Sequence, residues 1–414
     1  MNKISEDRIG MEGKMERNQY EIQEKLQKQM EIDGIDAMII TQPEAVFYCT
    51  GFASQFLYIS NRIGMAAAVV PKHGKISLIV SGFEKLAAEQ ACDKEHVNII
   101  DYPVWIYIKD LDDGKDKDAQ PDMNLTFKIA IESLGSIPET AKIGLQFEGL
   151  PFQKWEYLCS VFGKERLIDC EPVLRKVRVI KTAWEIQLLK ENTRFLELGM
   201  YNTFKQVTPG MREEDICNIW NRECFSLSSD IYNVFHTHVM GENWSPRLIP
   251  DSRYRVKEGD VIRFDGAIWR KGYGSDLGRA AAVGGKASSK GKDDVYAALH
   301  AGYDKLISMV GPGVRLCDVF NEVVATVQKY IPAYKRGHVG HSLGCNRFSE
   351  EYPFIAPDEM SVFEPGMVFC TEVPYYSSEF NSYNLEDTLL VTENGIELFS
   401  HIPDTLEWTG VGLN

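Results

Sequence analysis

The chain has 414 residues, more than the ~250 to 300 that one hydrophobic core usually supports, so two domains are expected. With 44% hydrophobic and 25% charged residues, including 20 Phe, 18 Tyr and 7 Trp, its composition is globular rather than disordered. A formal net charge of -15 argues against nucleic acid and anionic membrane as partners, since both are bound through basic patches.

The N-terminal stretch "MNKISEDRIGMEGKMERNQ" is charged and holds no apolar segment, so it does not read as a signal peptide. Asn18 to Ile32 forms an amphipathic pattern with Ile22, Leu26 and Met30 on one side, which predicts a helix. Short apolar runs follow at 35–40, 64–71, 75–80 and 142–147, between helical or turn-rich stretches, and this alternation predicts an α/β domain. The longest apolar run, "IGMAAAVV" at 63–70, is too short to span a bilayer. The polar "KDLDDGKDKDAQPD" at 109–122 predicts a solvated loop.

A capping box, Thr182 with Glu185, opens the next helix, which carries Ile186, Leu189, Thr193, Leu196 and Met200 at helical spacing. Further helices are predicted at 212–226, 292–310 and 316–331, the last two separated by "GPG". From 261 onward the pattern turns to strand in "VIRFDGAIW", "GMVFCTEVPYY" and "NLEDTLLVTENGIELFS", the last with a turn at 393–395. The nine cysteines are scattered and include no C-x-x-C, so neither a disulfide framework nor a zinc knuckle is indicated. Reduced thiols and a cytoplasmic location are the expectation.

Three of these strands carry acids where burial is expected: Asp265, Glu372 and Glu386. A buried carboxylate costs several kcal/mol unless it is paired, protonated or bound to a cation. Asp276 lies across the Lys271-Gly272 turn from Asp265, so a hairpin would bring both to one end. Close carboxylates repel by roughly 4 kcal/mol per pair at an effective dielectric near 20, which calls for a cation as counter-charge. With His341 added, one imidazole and four carboxylates form an oxygen-rich set suited to Mn, Fe, Co or Zn. Each of these residues taken alone is more often an ion-pair partner or an ordinary imidazole, and only the set points to metal.

These residues lie in blocks that resemble the creatinase/prolidase/aminopeptidase P family, the peptidase M24 group with the pita-bread fold. "FDGAIWRKGYGSDLGR" (264–279), "GHSLG" (340–344), "GMVFCTEVPYY" (366–376) and "NLEDTLLVTENGIE" (384–397) are similar in order and spacing to its D-x-G…SD-x-x-R, GH-x-x-G, GMVF…E-P and E-D-T blocks. "GIDAMIITQPEAVFYCTGF" (34–52) resembles the family's smaller domain. The resemblance implies an α/β creatinase-like N-terminal domain over 1–176 and an α+β pita-bread catalytic domain over 177–414. It implies two divalent metal ions: Asp265 chelates one, Asp276 and Glu386 bridge both, and His341 and Glu372 complete the second. Glu372 would also relay a proton. The implied activity is metal-dependent hydrolysis of an amide-type C–N bond in a small molecule or dipeptide, of the Xaa-Pro dipeptidase kind. A homodimer is implied, with one subunit's small domain closing over its partner's site.

The sequence departs from that pattern at three places. The family's proline-directed peptidases use two histidines that bind no metal; here Arg247 or Leu248 stands at the first place, and Phe348 or Ser349 at the second. The arginine expected two residues before the last glutamate is Asn384. Arginine can hold an oxyanion or a substrate carboxylate but cannot act as a base near neutral pH, so Arg247 is a candidate for substrate binding. His236 and His238 alternate in "VFHTHVMG" and would share one face; His238 is the candidate for catalysis. Tyr375, Tyr376 and Tyr383 are more often packing than substrate donors, His338 has no assigned role, and "GKASSKGKDD" (285–294) lacks phosphate-loop spacing. "PRLIP" (246–250) is similar to a branch that cleaves dimethylsulfoniopropionate by elimination, though Gly266-Ala267 stand where those lyases carry an acid. A lyase or creatinase-like hydrolase of a small zwitterion is therefore the second expectation, and a catalytically silent binding protein the third.

Overall fold

The computed structural model describes residues 16–104, 106–112, 122, 124–346, 350–403 and 405–407. The predicted loop at 109–122 lies largely outside these residues, as do Phe348 and Ser349.

The first expected helix forms as Gln19–Asp33, started by the Asn18 side chain on the Glu21 amide and stopped by Gly34 in the left-handed region. It buries Ile22, Leu26 and Met30 against a six-stranded sheet, each contributing roughly 1.5 to 3 kcal/mol. The strands are β1 (Ala37–Ile40), β2 (Ala67–Pro71), β3 (Ile76–Ser81), β4 (Val97–Tyr102), β5 (Ile143–Leu145) and β6 (Leu167–Asp169), in the order β4-β3-β2-β1-β5-β6. β1 is apolar throughout because both faces are covered: Met38 and Ile40 enter one core, Ala37 and Ile39 the other.

The capping box is formed as expected, and the helix it opens spans Ala183–Phe204. Helices Glu213–Leu227, Lys290–Met309 and Leu316–Gln328 follow close to the predicted bounds. They pack on a second, ten-stranded sheet made of β7 (Ile231–His236), β8 (Val239–Met240), β9 (Val261–Arg270), β10 (Tyr273–Gly274), β11 (Leu277–Ala282), β12 (Gly340–Ser342), β13 (Glu351–Phe354), β14 (Val368–Glu372), β15 (Glu386–Thr392) and β16 (Gly395–Leu398). The order is β10-β9-β11-β15-β14-β12-β13, with β7 and β8 on β9 and β16 on β15. The first and second of these helices share a core with Phe264 and Ile268, the other two a core with Ala280, Phe369 and Leu389. Among the described residues no helix is long and apolar enough to cross a membrane.

The β9–β10 connection is the two-residue turn Lys271-Gly272, with both residues at positive φ, 50° and 79°. A Cβ at Gly272 would stand 2.2 Å from the Phe47 ring, and Phe47 lies in the helix Pro43–Thr50 of the first sheet's layer. One core cluster joins the two halves of the chain here, uniting Phe47 and Tyr48 with Tyr273, Leu343, Cys345 and Val368. Arg178 adds a polar tie, donating to the Cys345 carbonyl at 2.6 Å and pairing with Glu351.

Candidate metal centre

Strand register alone explains why the acids meet. Asp265 on β9 is opposite Gly278 on β11, Gly278 is opposite Glu386 on β15, and Glu386 is opposite Glu372 on β14. Cross-strand partners point to the same face, so the three acids form one row with a glycine gap. A second row runs two residues along. His341 on β12 faces Cys370 on β14, Cys370 faces Thr388 on β15, and the Thr388 hydroxyl donates to the Asp276 carbonyl at 2.9 Å. Period 2 puts both rows on one side of the sheet, and the helices on the other side need the alternate residues for their core.

The donor atoms of Asp276, His341, Cys370 and Glu386 all lie within 4.8 Å of one another, and all four residues are buried. His341 Nδ1 donates to the Ser342 carbonyl at 3.1 Å, which leaves Nε2 as the nitrogen facing the Asp276 carboxylate at 3.7 Å. Asn384 Nδ2 donates to Glu386 Oε2 at 2.8 Å. The glycine gap is what admits that amide, because a Cβ at Gly278 would come within 2.3 Å of it. Behind the row, Arg279 donates to the Glu386 carbonyl at 2.6 Å and to Glu197 at 3.3 Å, tying β11 to β15. Burial, then the nearby Asp276, Asp265 and Glu372 charges, push the Glu386 carboxyl well above the usual range. Residues crowded in this way fit a divalent cation: the donor set is anionic, buried and convergent.

The other two expected ligands flank this group. Asp265 is the one residue of β9 that is not fully buried, so it faces the open side of the site. Its carboxylate accepts from Thr237 Oγ1 at 3.1 Å and pairs with Arg263, two residues earlier on the same face. Glu372 pairs with Arg336 and lies 3.3 Å from His338 Nδ1. The distance to His338 is that of an ion pair, but Nδ1 has no hydrogen-bond partner of good geometry. Tyr376 covers the Arg263 guanidinium with its ring at 5.2 Å.

Two candidates lie elsewhere. Arg247 is turned to Asp251, donating at 2.9 Å, and Asp251 also holds Arg253, so Arg247 pairs locally and not with the acid row. His236 and His238 do share a face, stacked at 4.6 Å, but it is the face away from Asp265. His238 packs edge-on against Trp220 and Phe264, and Phe264 is next to Asp265 on β9 and points the opposite way. Neither ring nitrogen of His238 has a hydrogen-bond partner among the described residues, and burial holds its pKa well below the usual imidazole value. His236 contacts the Cys217 sulfur at 3.7 Å on that same side. Tyr383 is fully buried and donates to backbone carbonyls of Phe380 and Lys292, a packing role.

Four residues of the face were not anticipated: Cys370, Arg263, Arg336 and Thr237. For the first two the signal was present, since Cys370 and Arg263 each stand two residues from an expected ligand in the same strand.

A model of metallopeptidase family M24 matches residues 187–393, and a model of the creatinase/prolidase N-terminal domain matches residues 23–180. The chain is 23% identical over 385 residues to an uncharacterized hydrolase/peptidase of Sinorhizobium fredii, covering 90% of this chain and 92% of the relative. It is 22% identical over 380 residues to the Xaa-Pro dipeptidase of Pyrococcus furiosus, covering 90% of this chain and 95% of that one. In structure it resembles the prolidase from Pyrococcus horikoshii, with a TM-score of 0.75 at 18% identity over 92% of this chain and 99% of the other.

Proposed function

The chain belongs to metallopeptidase family M24, with the creatinase-type N-terminal domain and pita-bread catalytic domain, and on that premise we propose that it hydrolyses an amide-type C–N bond in a small substrate. An Xaa-Pro dipeptide is the first substrate class to test. Asp265, Asp276, His341, Glu372 and Glu386 would hold two divalent ions, Mn, Fe, Co or Zn. The observation that carries this reading is the double row, which lines all five along one face of five neighbouring strands, β9, β11, β15, β14 and β12. Ions bound there would supply a nucleophilic water of lowered pKa and polarise the scissile carbonyl.

The chain's own residues do the rest. Glu372, beside His338, is placed to take and pass a proton. Arg263 and Arg336 bring two guanidiniums to the ends of the acid row, where a substrate carboxylate could be bound bidentately. His338 is the imidazole nearest to a candidate proton relay, in a chain whose sequence lacks both expected non-metal histidines.

The two arginines also favour a second reading, a hydrolase or lyase of a small zwitterion, because a compact substrate with one carboxylate would meet both the ions and a guanidinium. Metal analysis with a substrate panel tests these. About two ions per chain with proline release from Ala-Pro or Leu-Pro supports the first. Bound metal with release of acid or amine from betaines, sulfonio compounds or N-methyl amides, but no dipeptide turnover, supports the second. Bound metal with no turnover of any compound leaves a binding protein, and no metal under replete conditions sinks both enzymatic readings. We propose a cytoplasmic homodimer, in line with nine free cysteines of which eight are buried. Light scattering in solution measures the oligomer.

A further inference from the structure

We propose that Cys370 is itself a metal ligand, so that the ion beside His341 is held by nitrogen, oxygen and sulfur rather than by nitrogen and oxygen alone. This rests on the reading of the carboxylate face as a metal site. Cys370 is fully buried in β14, directly opposite His341 in register and two residues from Glu372, so its side chain shares the ligand face. Its sulfur lies 3.3 Å from Glu386 Oε1, and its donor atom is within 4.8 Å of those of Asp276, His341 and Glu386.

A second observation points to a cation at this spot. Because the Ser342 carbonyl can only accept, His341 Nδ1 carries the hydrogen of that bond, and Nε2 is the nitrogen turned to the Asp276 carboxylate at 3.7 Å. These residues are 1% and 5% exposed, and an ion seated between them would take Nε2 and the carboxylate as ligands together. The Cys370 sulfur is on the rim of that same space. Cys217 and Cys345, by contrast, contact His236 on the far face and the Glu44 carbonyl.

On coordination the S–H bond breaks, sulfur forms one bond to the ion, and the proton passes to solvent, so charge and atoms balance. A thiolate changes selectivity. Four carboxylates and an imidazole suit Mn as well as Zn, whereas sulfur favours Zn, Co and Fe over Mn.

The test uses the full chain, stripped of metal and loaded with Co(II), with bound cobalt counted. The expected result is a near-ultraviolet thiolate-to-cobalt charge-transfer band in the wild type that disappears in Cys370→Ser while cobalt is retained. Cobalt bound without the band, or a band that survives in Cys370→Ser, overturns the Cys370 assignment and leaves the metal site standing. No cobalt bound by the wild type overturns both. If Cys370→Ser does not fold, zinc X-ray absorption on the wild type decides: a sulfur scatterer at about 2.3 Å supports the assignment, and a nitrogen and oxygen shell alone overturns it.

Discussion

Glu372 and Glu386 are direct cross-strand partners on β14 and β15, two acids side by side on one face. Like charges in that position destabilise a sheet unless something neutralises them. Arg336 pairs with Glu372, but burial and the neighbouring acids hold the Glu386 carboxyl well above its usual range, so the metal-free chain should be held below its full stability by that one group. Glu386→Gln is expected to raise the metal-free melting temperature, by an amount equivalent to about 1 to 3 kcal/mol. The same change should abolish most of the stabilisation gained on adding metal, which for the wild type is about 2.7 kcal/mol at an ion concentration 100 times Kd. Asp276→Asn should lose the metal response equally. Thermal unfolding with and without Co(II) measures both, and a Glu386→Gln protein that responds to metal like the wild type would count against the site.

Arg263 and Arg336 reach the acid row, and Arg247 is turned to Asp251. Arg263→Met and Arg336→Met should each lower kcat/KM at least ~10-fold, about 1.4 kcal/mol, with the larger change in KM if they hold a substrate carboxylate. Arg247→Ala should change kcat/KM by less than ~3-fold and cost at most about 1 kcal/mol, since its partnership is partly exposed. Steady-state kinetics on whichever substrate the panel identifies gives the answer, and the reverse ranking would restore Arg247 as the anchor.

Gly278→Ala tests the gap in the acid row. The new methyl would meet the Asn384 amide at 2.3 Å, while that amide is hydrogen-bonded to Glu386. Overpacking of this kind costs typically 1 to 3 kcal/mol, and displacing Asn384 should loosen Glu386 and weaken metal affinity as well. Denaturant unfolding and a metal titration read the two effects separately. A loss of stability with unchanged affinity would mean that Asn384 is not part of the metal site.

Burial lowers the His236 pKa from 6.5 to about 4. The folded value is depressed, so as pH falls from 6.5 toward 4 the unfolded chain takes up a proton that the folded chain refuses, and stability is lost. At 1.36 kcal/mol per unit this amounts to roughly 3 kcal/mol by pH 4. His238, stacked on it and shifted in the same direction for the same reason, adds to the loss. His236→Gln should flatten the dependence of unfolding free energy on pH between 4 and 6.5, measured by urea denaturation; an unchanged slope would place the acid sensitivity in other groups.

Much of the site was legible because a charged residue in an apolar strand stands out. Asp265, Glu372 and Glu386 announced themselves in this way, and the register then delivered them to one face. Cys370 was harder to read, because a cysteine in a buried strand passes for a small hydrophobe and only its two-residue spacing from Glu372 sets it apart. His238 shows a different limit. Alternation says that two side chains share a face, but which face is decided by Trp220 and Phe264, residues far apart in sequence. Arg247 had a readable partner four residues on, in "RLIPD", though nothing local says whether an arginine prefers it to a substrate. In the N-terminal half, the helix Pro43–Thr50 was missed because nearly all of it is buried and no polar side sets the period.

Phe47 packs against the Lys271-Gly272 turn, so the N-terminal half touches the hairpin that carries Asp265. The clamped hairpin holds Asp265 on one arm and runs on to Asp276 past the other, so on the proposed reading the N-terminal half would act as the jig that sets the aperture of an ion cage there. A disturbance at Phe47 would register first as a change in which ion radius the cage accepts.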